Sequence, residues 1–145
     1  MRILGLDYGD ARVGVAITDA LNITVQGLET IQRNQSDRNV LKRLDEILAI
    51  YEIEKIVVGL PLNLKGEKTQ RTELTEKFIH KLKCKYNKIK IETMDERLTT
   101  IEAQKTMNFL NVNKNKKRAI IDTIAAEYIL QAYLKKQENE QKNES

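Results

Sequence analysis

The chain has 145 residues, a formal net charge of +4 and a sequence pI near 9.1. A chain of this length suits one domain that buries about 70% of its unfolded surface, so folding requires neither disulfides nor metal. The single cysteine excludes an intramolecular disulfide, and no apolar segment approaches the roughly 18 to 20 residues that span a bilayer. We therefore expect a cytoplasmic protein, and the basic balance favours a polyanionic partner.

Three strands are predicted first, at residues 3–7, 13–19 and 25–32, with turn residues between them. Ser36 is expected to cap a helix, because the apolar positions that follow it repeat with a period near 3.6. The continuous apolar segment at residues 55–60 predicts a parallel strand that is covered on both faces. Pro61, a poor strand residue, is expected to end it.

The second half of the chain continues this alternation of helices and strands. A second helix is predicted to bury four apolar side chains, and a fifth strand follows it. Thr99 and Glu102 have the spacing of a capping box for a short helix. The predicted boundaries are 67–83 for the second helix (burying Leu74, Phe78, Ile79 and Leu82), 89–94 for the strand, 111–117 for a basic loop and 118–136 for the final helix.

This order of elements predicts an α/β fold with one mixed five-stranded sheet flanked by helices. The first three strands are antiparallel, and right-handed crossovers join the others. We expect a single domain over residues 1–136. The charged tail at 137–145 has no apolar residue and is expected to be disordered.

Asp7 lies at the end of the first predicted strand, before the turn that leads into the second. A carboxylate against an apolar strand costs several kcal/mol unless it is paired or holds a cation. Gly9 and Gly14 allow sharp turning and close approach of a phosphate or a metal. The alternative is that Asp7 caps the turn and pairs with Arg12.

Two further acids occupy positions where a ligand site is expected. Glu96 follows the fifth strand, at the end of the sheet that binds ligands in open α/β folds. Asp95 is adjacent, but side chains alternate in direction along a strand, so we choose Glu96. Asp122 lies on the final helix before two alanines that allow close packing. The structural alternatives are helix capping near Thr99 for Glu96 and pairing with Arg118 for Asp122.

Four segments taken together resemble the YqgF (RuvX) family: ILGLDYGDARVGVAITD, VVGLPLNLKG, DERLTT and IIDTIAAEYILQAYL. This family is described as Holliday junction resolvases and as pre-16S rRNA nucleases, and it has an RNase H-like fold. The resemblance extends from residue 1 to about residue 134. One departure is Lys65, where family members often have an acid before the glycine.

The resemblance implies that Asp7, Glu96 and Asp122 are both catalytic residues and metal ligands. Carboxylates with substrate phosphate suit Mg²⁺ or Mn²⁺, and two such ions can activate water and stabilise a leaving oxygen. The implied activity is hydrolysis of phosphodiester bonds, with precursor 16S rRNA as the favoured substrate and branched DNA as the alternative.

Basic residues near these acids are candidates for binding substrate phosphate, because guanidinium and ammonium groups bind phosphate oxygens. Arg12 and Arg97 lie within the acid-bearing motifs, and a basic run precedes the final helix. The alternative is that the two arginines form ion pairs with neighbouring acids and that the basic run is only solvated. The run comprises Lys114, Lys116, Lys117 and Arg118.

Two other functions remain open from the sequence. The chain could bind nucleic acid and metal without efficient cleavage. The segment DYGDARVGVA also resembles the phosphate hairpin of actin-like kinases, but those enzymes need two such domains and this chain has the length of one. Its oligomeric state is open as well.

Overall fold

The structure is a computed structural model that describes residues 1–96 and 114–144. Within the final helix, side chains are described for residues 123–141. In this part of the chain no helix is long and apolar enough to cross a membrane.

A mixed five-stranded sheet forms the centre of the molecule, in the order β3-β2-β1-β4-β5. The pairs β1–β2 and β2–β3 are antiparallel, whereas β1–β4 and β4–β5 are parallel. The predicted α/β fold is therefore confirmed, including the parallel central strand. The strands are β1 Arg2–Tyr8, β2 Arg12–Thr18, β3 Val25–Gln32, β4 Ile53–Leu60 and β5 Lys90–Asp95.

Three helices are described: α1 Asp37–Ile50, α2 Gln70–Lys85 and α3 Lys114–Glu144. Ser36 caps α1 as predicted, and its Oγ accepts a hydrogen bond from the Arg38 backbone N–H at 3.2 Å. Thr69 and Thr72 form a capping box at the start of α2. This box fixes the position of the first turn of α2.

The helices cover both faces of the sheet. On one face the even-numbered β1 residues Leu4, Leu6 and Tyr8 belong to a core with buried residues of α1 and α2. On the other face Ile3 packs in a second core with residues of α3, chiefly Ala126, Ile129, Leu130 and Tyr133. This two-faced burial follows from the alternation of side chains along a strand.

The α3 helix lies very close to the sheet, because glycines in the strands leave room for its larger side chains. Ala125 and Ala126 are buried, as the sequence predicted. A Cβ at Gly5 of β1 would lie 2.5 Å from Cγ of Leu130, so no side chain larger than hydrogen fits at that position without movement. The helix packs chiefly over β2, β3 and β1, with fewer contacts to β4 and β5.

Three predicted details differ from the structure. Leu74 is 41% exposed, whereas Thr72 and Thr75 are buried in its place. Both hydroxyls donate to carbonyl oxygens, that of Thr72 to Pro61 and that of Thr75 to Arg71, and these hydrogen bonds allow polar side chains to be buried. Phe78, Ile79 and Leu82 are buried as predicted, so the prediction for α2 is wrong at Leu74 alone.

The other two differences concern α3. Residues 114–117, predicted as a loop, are helical, and the helix continues through residues 137–144, which were assigned to a disordered tail. Lys, Arg, Glu and Gln are good helix formers, and a helix that is already nucleated extends through them at low cost. The short helix predicted at Thr99 and Glu102 lies outside the described residues.

Candidate active site

Asp7 lies on the face of the sheet that α3 covers. Ile3 packs against α3, Gly5 lies beneath Leu130, and Asp7 continues the same alternation along β1. The chain then turns at Gly9, whose N–H donates to the Arg12 carbonyl at 3.0 Å. A Cβ at Gly9 would lie 2.8 Å from that oxygen, so the tight turn requires glycine. Asp7 is thereby placed at the carboxyl end of β1, as predicted.

Glu96 follows β5 directly, and its N–H donates to the Leu60 carbonyl at the end of β4 at 3.4 Å. Its side chain is 8% exposed, and Oε2 is enclosed. Met94, two residues earlier, packs in the α3 core, so Glu96 lies on the α3 face. Asp95 is exposed. The choice of Glu96 over Asp95 is consistent with this alternation.

Gly59 of β4 provides the space through which Glu96 approaches Asp7. Strand β4 lies between β1 and β5, and Gly59 is paired with Met94. A Cβ on Gly59 would collide with Glu96 Oε2 and with Cδ1 of Ile129. The bare backbone of Gly59 therefore accommodates both the carboxylate and α3.

The Asp7 and Glu96 carboxyl groups are hydrogen-bonded to each other. Burial raises the pKa of Glu96 well above its ordinary value, and the charge and hydrogen bond of Asp7 raise it further, against a lowering effect of Arg71. Two acids this close do not both ionise unless a cation compensates their repulsion. The pair therefore holds a proton or a cation between its oxygens.

The donor set of this pair fits a hard divalent cation, because both ligands are carboxylate oxygens. Within the described residues no group of three His, Cys, Asp or Glu side chains forms a metal site. The third predicted ligand, Asp122, has a side chain outside the described set. The assignment of Asp7, Glu96 and Asp122 as metal ligands therefore stays a prediction.

Helix α3 carries residue 122, but its approach to the other two acids stays a prediction. Tyr133 donates to Glu92 and accepts from Lys55 near the start of β4, whereas Ile129 lies at Gly59 near its end. Helix α3 therefore runs toward the site in its N-terminal direction. Residue 122 is seven positions before Ile129, which is about two helical turns nearer the N-terminal end of α3.

Of the six basic residues predicted to bind phosphate, the structure describes the side chain of Arg12 alone. Arg12, at the start of β2, is half-buried and shares the α3 face with Ala16 by strand alternation. Arg97 lies outside the described residues. The remaining four occupy the first turns of α3 with side chains outside the described set: Lys114, Lys116, Lys117 and Arg118. Their role as phosphate ligands stays a prediction.

Arg71 adjoins the site and was not predicted from the sequence. It lies in the first turn of α2 and donates from Nη2 to the Tyr8 carbonyl at 3.2 Å. Tyr8 follows Asp7, and the positive charge of Arg71 acts on Glu96. Because 63 residues separate Arg71 from Tyr8, only the docking of α2 against β1 reveals this contact.

A polar network beneath the site holds the end of β1 in place. Tyr8 donates to Asp37 at 2.7 Å, and Asp37 also accepts from Arg33 at 2.9 Å and Lys81 at 2.8 Å. Arg33 donates in addition to the Asp10 carbonyl in the β1–β2 turn at 2.6 Å. Side chains from β1, α1 and α2 therefore support the strand end that carries Asp7.

The mixed five-stranded sheet with helices on both faces defines an RNase H-like fold, and the acidic pair lies at the carboxyl ends of its strands β1 and β5. Among solved structures, the chain resembles Thermus thermophilus RuvC, described in complex with a Holliday junction substrate. The TM-score is 0.56 with 11% identity, covering 94% of this chain and 96% of RuvC. This likeness establishes the fold.

A family model described as "RuvX: Holliday junction resolvase" matches residues 1–136, and the chain belongs to this family. A relative from Ruminiclostridium cellulolyticum is 48% identical over 134 residues, covering 92% of this chain and 94% of the relative. A Bacillus subtilis relative is 42% identical over 135 residues, covering 92% and 97%. Both carry the name "Putative pre-16S rRNA nuclease". The chain is thus a member of a nuclease family, which confirms the resemblance found in the sequence.

Proposed function

We propose that this protein is a divalent-metal-dependent nuclease that hydrolyses a phosphodiester bond near the 5' end of precursor 16S rRNA in the cytoplasm. The observation that carries the proposal is the contact between Asp7 and Glu96 at the carboxyl ends of β1 and β5. The names of the relatives support precursor 16S rRNA as the substrate. Mg²⁺ and Mn²⁺ suit an all-carboxylate site.

Asp7, Glu96 and Asp122 would hold two cations, which supply activation of the attacking water and stabilisation of the leaving oxygen. The fold holds two of these side chains in position before substrate binds. The sheet fixes Asp7, and burial keeps the Glu96 carboxyl enclosed over Gly59. Cation binding requires Glu96 to lose its proton, so the pair couples metal affinity to pH.

Arg12, Arg97 and the basic first turns of α3 are proposed to contact the phosphates of the substrate. Three acids in one cleft repel a polyanion, and basic side chains around the cleft offset that repulsion. Such contacts carry no base-specific information, so they position the strand and leave specificity to RNA shape. Structured RNA is therefore the favoured substrate.

The proposal is tested by incubating the protein with a precursor 16S rRNA fragment and with a four-way DNA junction, each with Mg²⁺ or Mn²⁺. We expect metal-dependent cleavage of the RNA and none in EDTA. Mature 16S rRNA lacking the precursor segment is the matched control substrate. Absence of RNA cleavage under every metal condition would refute the proposal.

A second candidate substrate is the Holliday junction, which the family description names. Symmetric cleavage of a four-way junction requires two active sites related by a two-fold axis. Sedimentation analysis with and without a junction therefore separates the two candidates. A protein that is monomeric in both conditions favours RNA processing.

A further inference from the structure

The first turn of α2 places a cationic side chain at the edge of the carboxylate pair. Arg71 is exposed, and its Nη2 donates to the Tyr8 carbonyl at 3.2 Å. Tyr8 is the residue after Asp7, and the positive charge of Arg71 lowers the pKa of Glu96. A guanidinium therefore lies at the carboxyl end of β1, one residue from Asp7 along the chain, and it approaches from α2, which packs on the face of the sheet opposite to α3.

This position is held by contacts at the start of α2. The Thr69 hydroxyl accepts from the Thr72 backbone N–H, and the Thr72 hydroxyl donates to the Pro61 carbonyl just after β4. The Thr75 hydroxyl donates to the Arg71 carbonyl at 2.9 Å. The backbone that carries Arg71 is thus attached to the end of β4, the strand between Asp7 and Glu96.

Arg71 differs from Arg33 and Arg43, which are paired with carboxylates, and resembles Arg2, whose side chain also donates to a backbone carbonyl. Arg33 pairs with Asp37 at 2.9 Å, and Arg43 pairs with Glu29 at 2.7 Å. Within the described residues no carboxylate lies at ion-pair distance from Arg71, whose protein hydrogen bond goes to a neutral carbonyl. A guanidinium has five N–H donors, so most of them remain available to an anion.

We propose that Arg71 binds a substrate phosphate beside the scissile bond, so that the nucleic acid strand passes between the first turn of α2 and the acidic pair. The assignment rests on the proposed nuclease function and adds a residue to its substrate site. Its physical basis is charge: a phosphodiester next to Asp7 and Glu96 is repelled unless a fixed cation adjoins it. A guanidinium also matches two phosphate oxygens in geometry.

The test compares Arg71→Gln and Arg71→Lys with Lys83→Gln. Lys83 is exposed on the same helix, twelve residues further on and about 18 Å away along its axis, so it controls for lost net charge. Binding of a short labelled single-stranded RNA is measured by fluorescence anisotropy in Ca²⁺ over a range of salt concentrations. Cleavage in Mg²⁺ is measured in parallel to obtain kcat and KM.

We expect Arg71→Gln to weaken binding about tenfold and to reduce the salt slope by about 0.7, the value for one phosphate contact with a single strand. Arg71→Lys should retain the slope and recover part of the affinity, whereas Lys83→Gln should match the wild type. KM should rise more than kcat falls. These results would support the contact.

A purely structural role for Arg71, as a tie to the Tyr8 carbonyl, predicts a different result. Arg71→Gln would then lower the melting temperature while leaving the salt slope unchanged, and that result overturns the proposal. If the wild type cleaves no RNA but the slope still falls in Arg71→Gln, the nuclease function fails while the phosphate contact stands. The two failures are therefore distinguishable.

Discussion

The substitution Gly59→Ala tests whether the space over β4 sets the position of the Glu96 carboxylate. The new Cβ would lie closer than 3.0 Å to Glu96 Oε2 and to Ile129 Cδ1. To restore ordinary contact, these groups must move by roughly 1 Å, since non-bonded heavy atoms settle at about 3.5 Å or more. Misplacement of that size costs about 100-fold in rate.

The same substitution has a calculable effect on stability. Overpacking costs about 1 to 3 kcal/mol, and the lower entropy of the unfolded alanine chain returns about 0.4 to 1 kcal/mol. A net loss of about 1 to 2 kcal/mol lowers the melting temperature by roughly 3 to 8 °C in a domain of this size. The variant should therefore remain folded at 25 °C while it loses activity.

Gly5→Ala is the matched control, because its Cβ would meet only Leu130 side-chain atoms. Both variants add a methyl group beneath α3, and calorimetry should show comparable destabilisation. Single-turnover cleavage and Mn²⁺ titration should then show the larger loss in Gly59→Ala. Equal activity losses in the two variants would refute the idea that Gly59 positions Glu96.

Three further predictions concern charge. Glu96→Gln should raise the melting temperature of the metal-free protein by a few degrees, because glutamine is neutral in the unfolded chain and does not have to take up a proton on folding as the buried Glu96 carboxyl does, and it should abolish stabilisation by Mg²⁺; an unchanged Mg²⁺ response in thermal melts would contradict this. Asp37 is half-buried, which opposes its ionisation, but hydrogen bonds from Lys81, Tyr8 and Arg33 hold its pKa below the ordinary value. Its contribution to stability is thus present above about pH 4 and is lost as pH falls through the lower folded pKa, so urea unfolding of Asp37→Asn should depend less on pH in that acidic range than the wild type does. Changing Lys114, Lys116 and Lys117 together to Gln should weaken binding and reduce the salt slope by about 0.7 for each lost contact with single-stranded RNA; an unaltered slope would show that the run is only solvated.

Much of the fold could be predicted because turn residues, helix caps and apolar patterns along the sequence agree with the tertiary structure. The boundaries of β3 match the prediction, and Ser36 caps α1 as expected. The continuous apolar segment of β4 indicated a strand covered on both faces, and the structure pairs it with parallel strands on both sides. Leu74 was wrongly predicted to be buried. Thr72 and Thr75 are buried instead, and a search for apolar residues at helical spacing does not find polar threonines whose hydroxyls are hydrogen-bonded.

The candidate site was only partly accessible from the sequence. Asp7 was singled out by its position at the end of β1, and Glu96 was chosen over Asp95 because adjacent side chains at a strand end point in opposite directions. The family resemblance implies their catalytic and metal-binding roles, which stay predictions. The roles of Gly59 and Arg71 depend on contacts between elements that are distant in sequence, so no local pattern predicts them. Gly59 of β4 lies beneath the carboxylate of Glu96, which follows the neighbouring strand β5. Arg71 contacts the Tyr8 carbonyl only because α2 packs against β1.

The most direct test of the central claim is single-turnover cleavage of a precursor 16S rRNA fragment in Mg²⁺ by the wild type and by Asp7→Asn. The asparagine keeps the size of the side chain while removing the negative charge that the pair presents to a cation. We predict cleavage by the wild type and a loss of at least about 100-fold in the variant, with RNA binding in Ca²⁺ retained. Cleavage by Asp7→Asn at the wild-type rate would contradict the account.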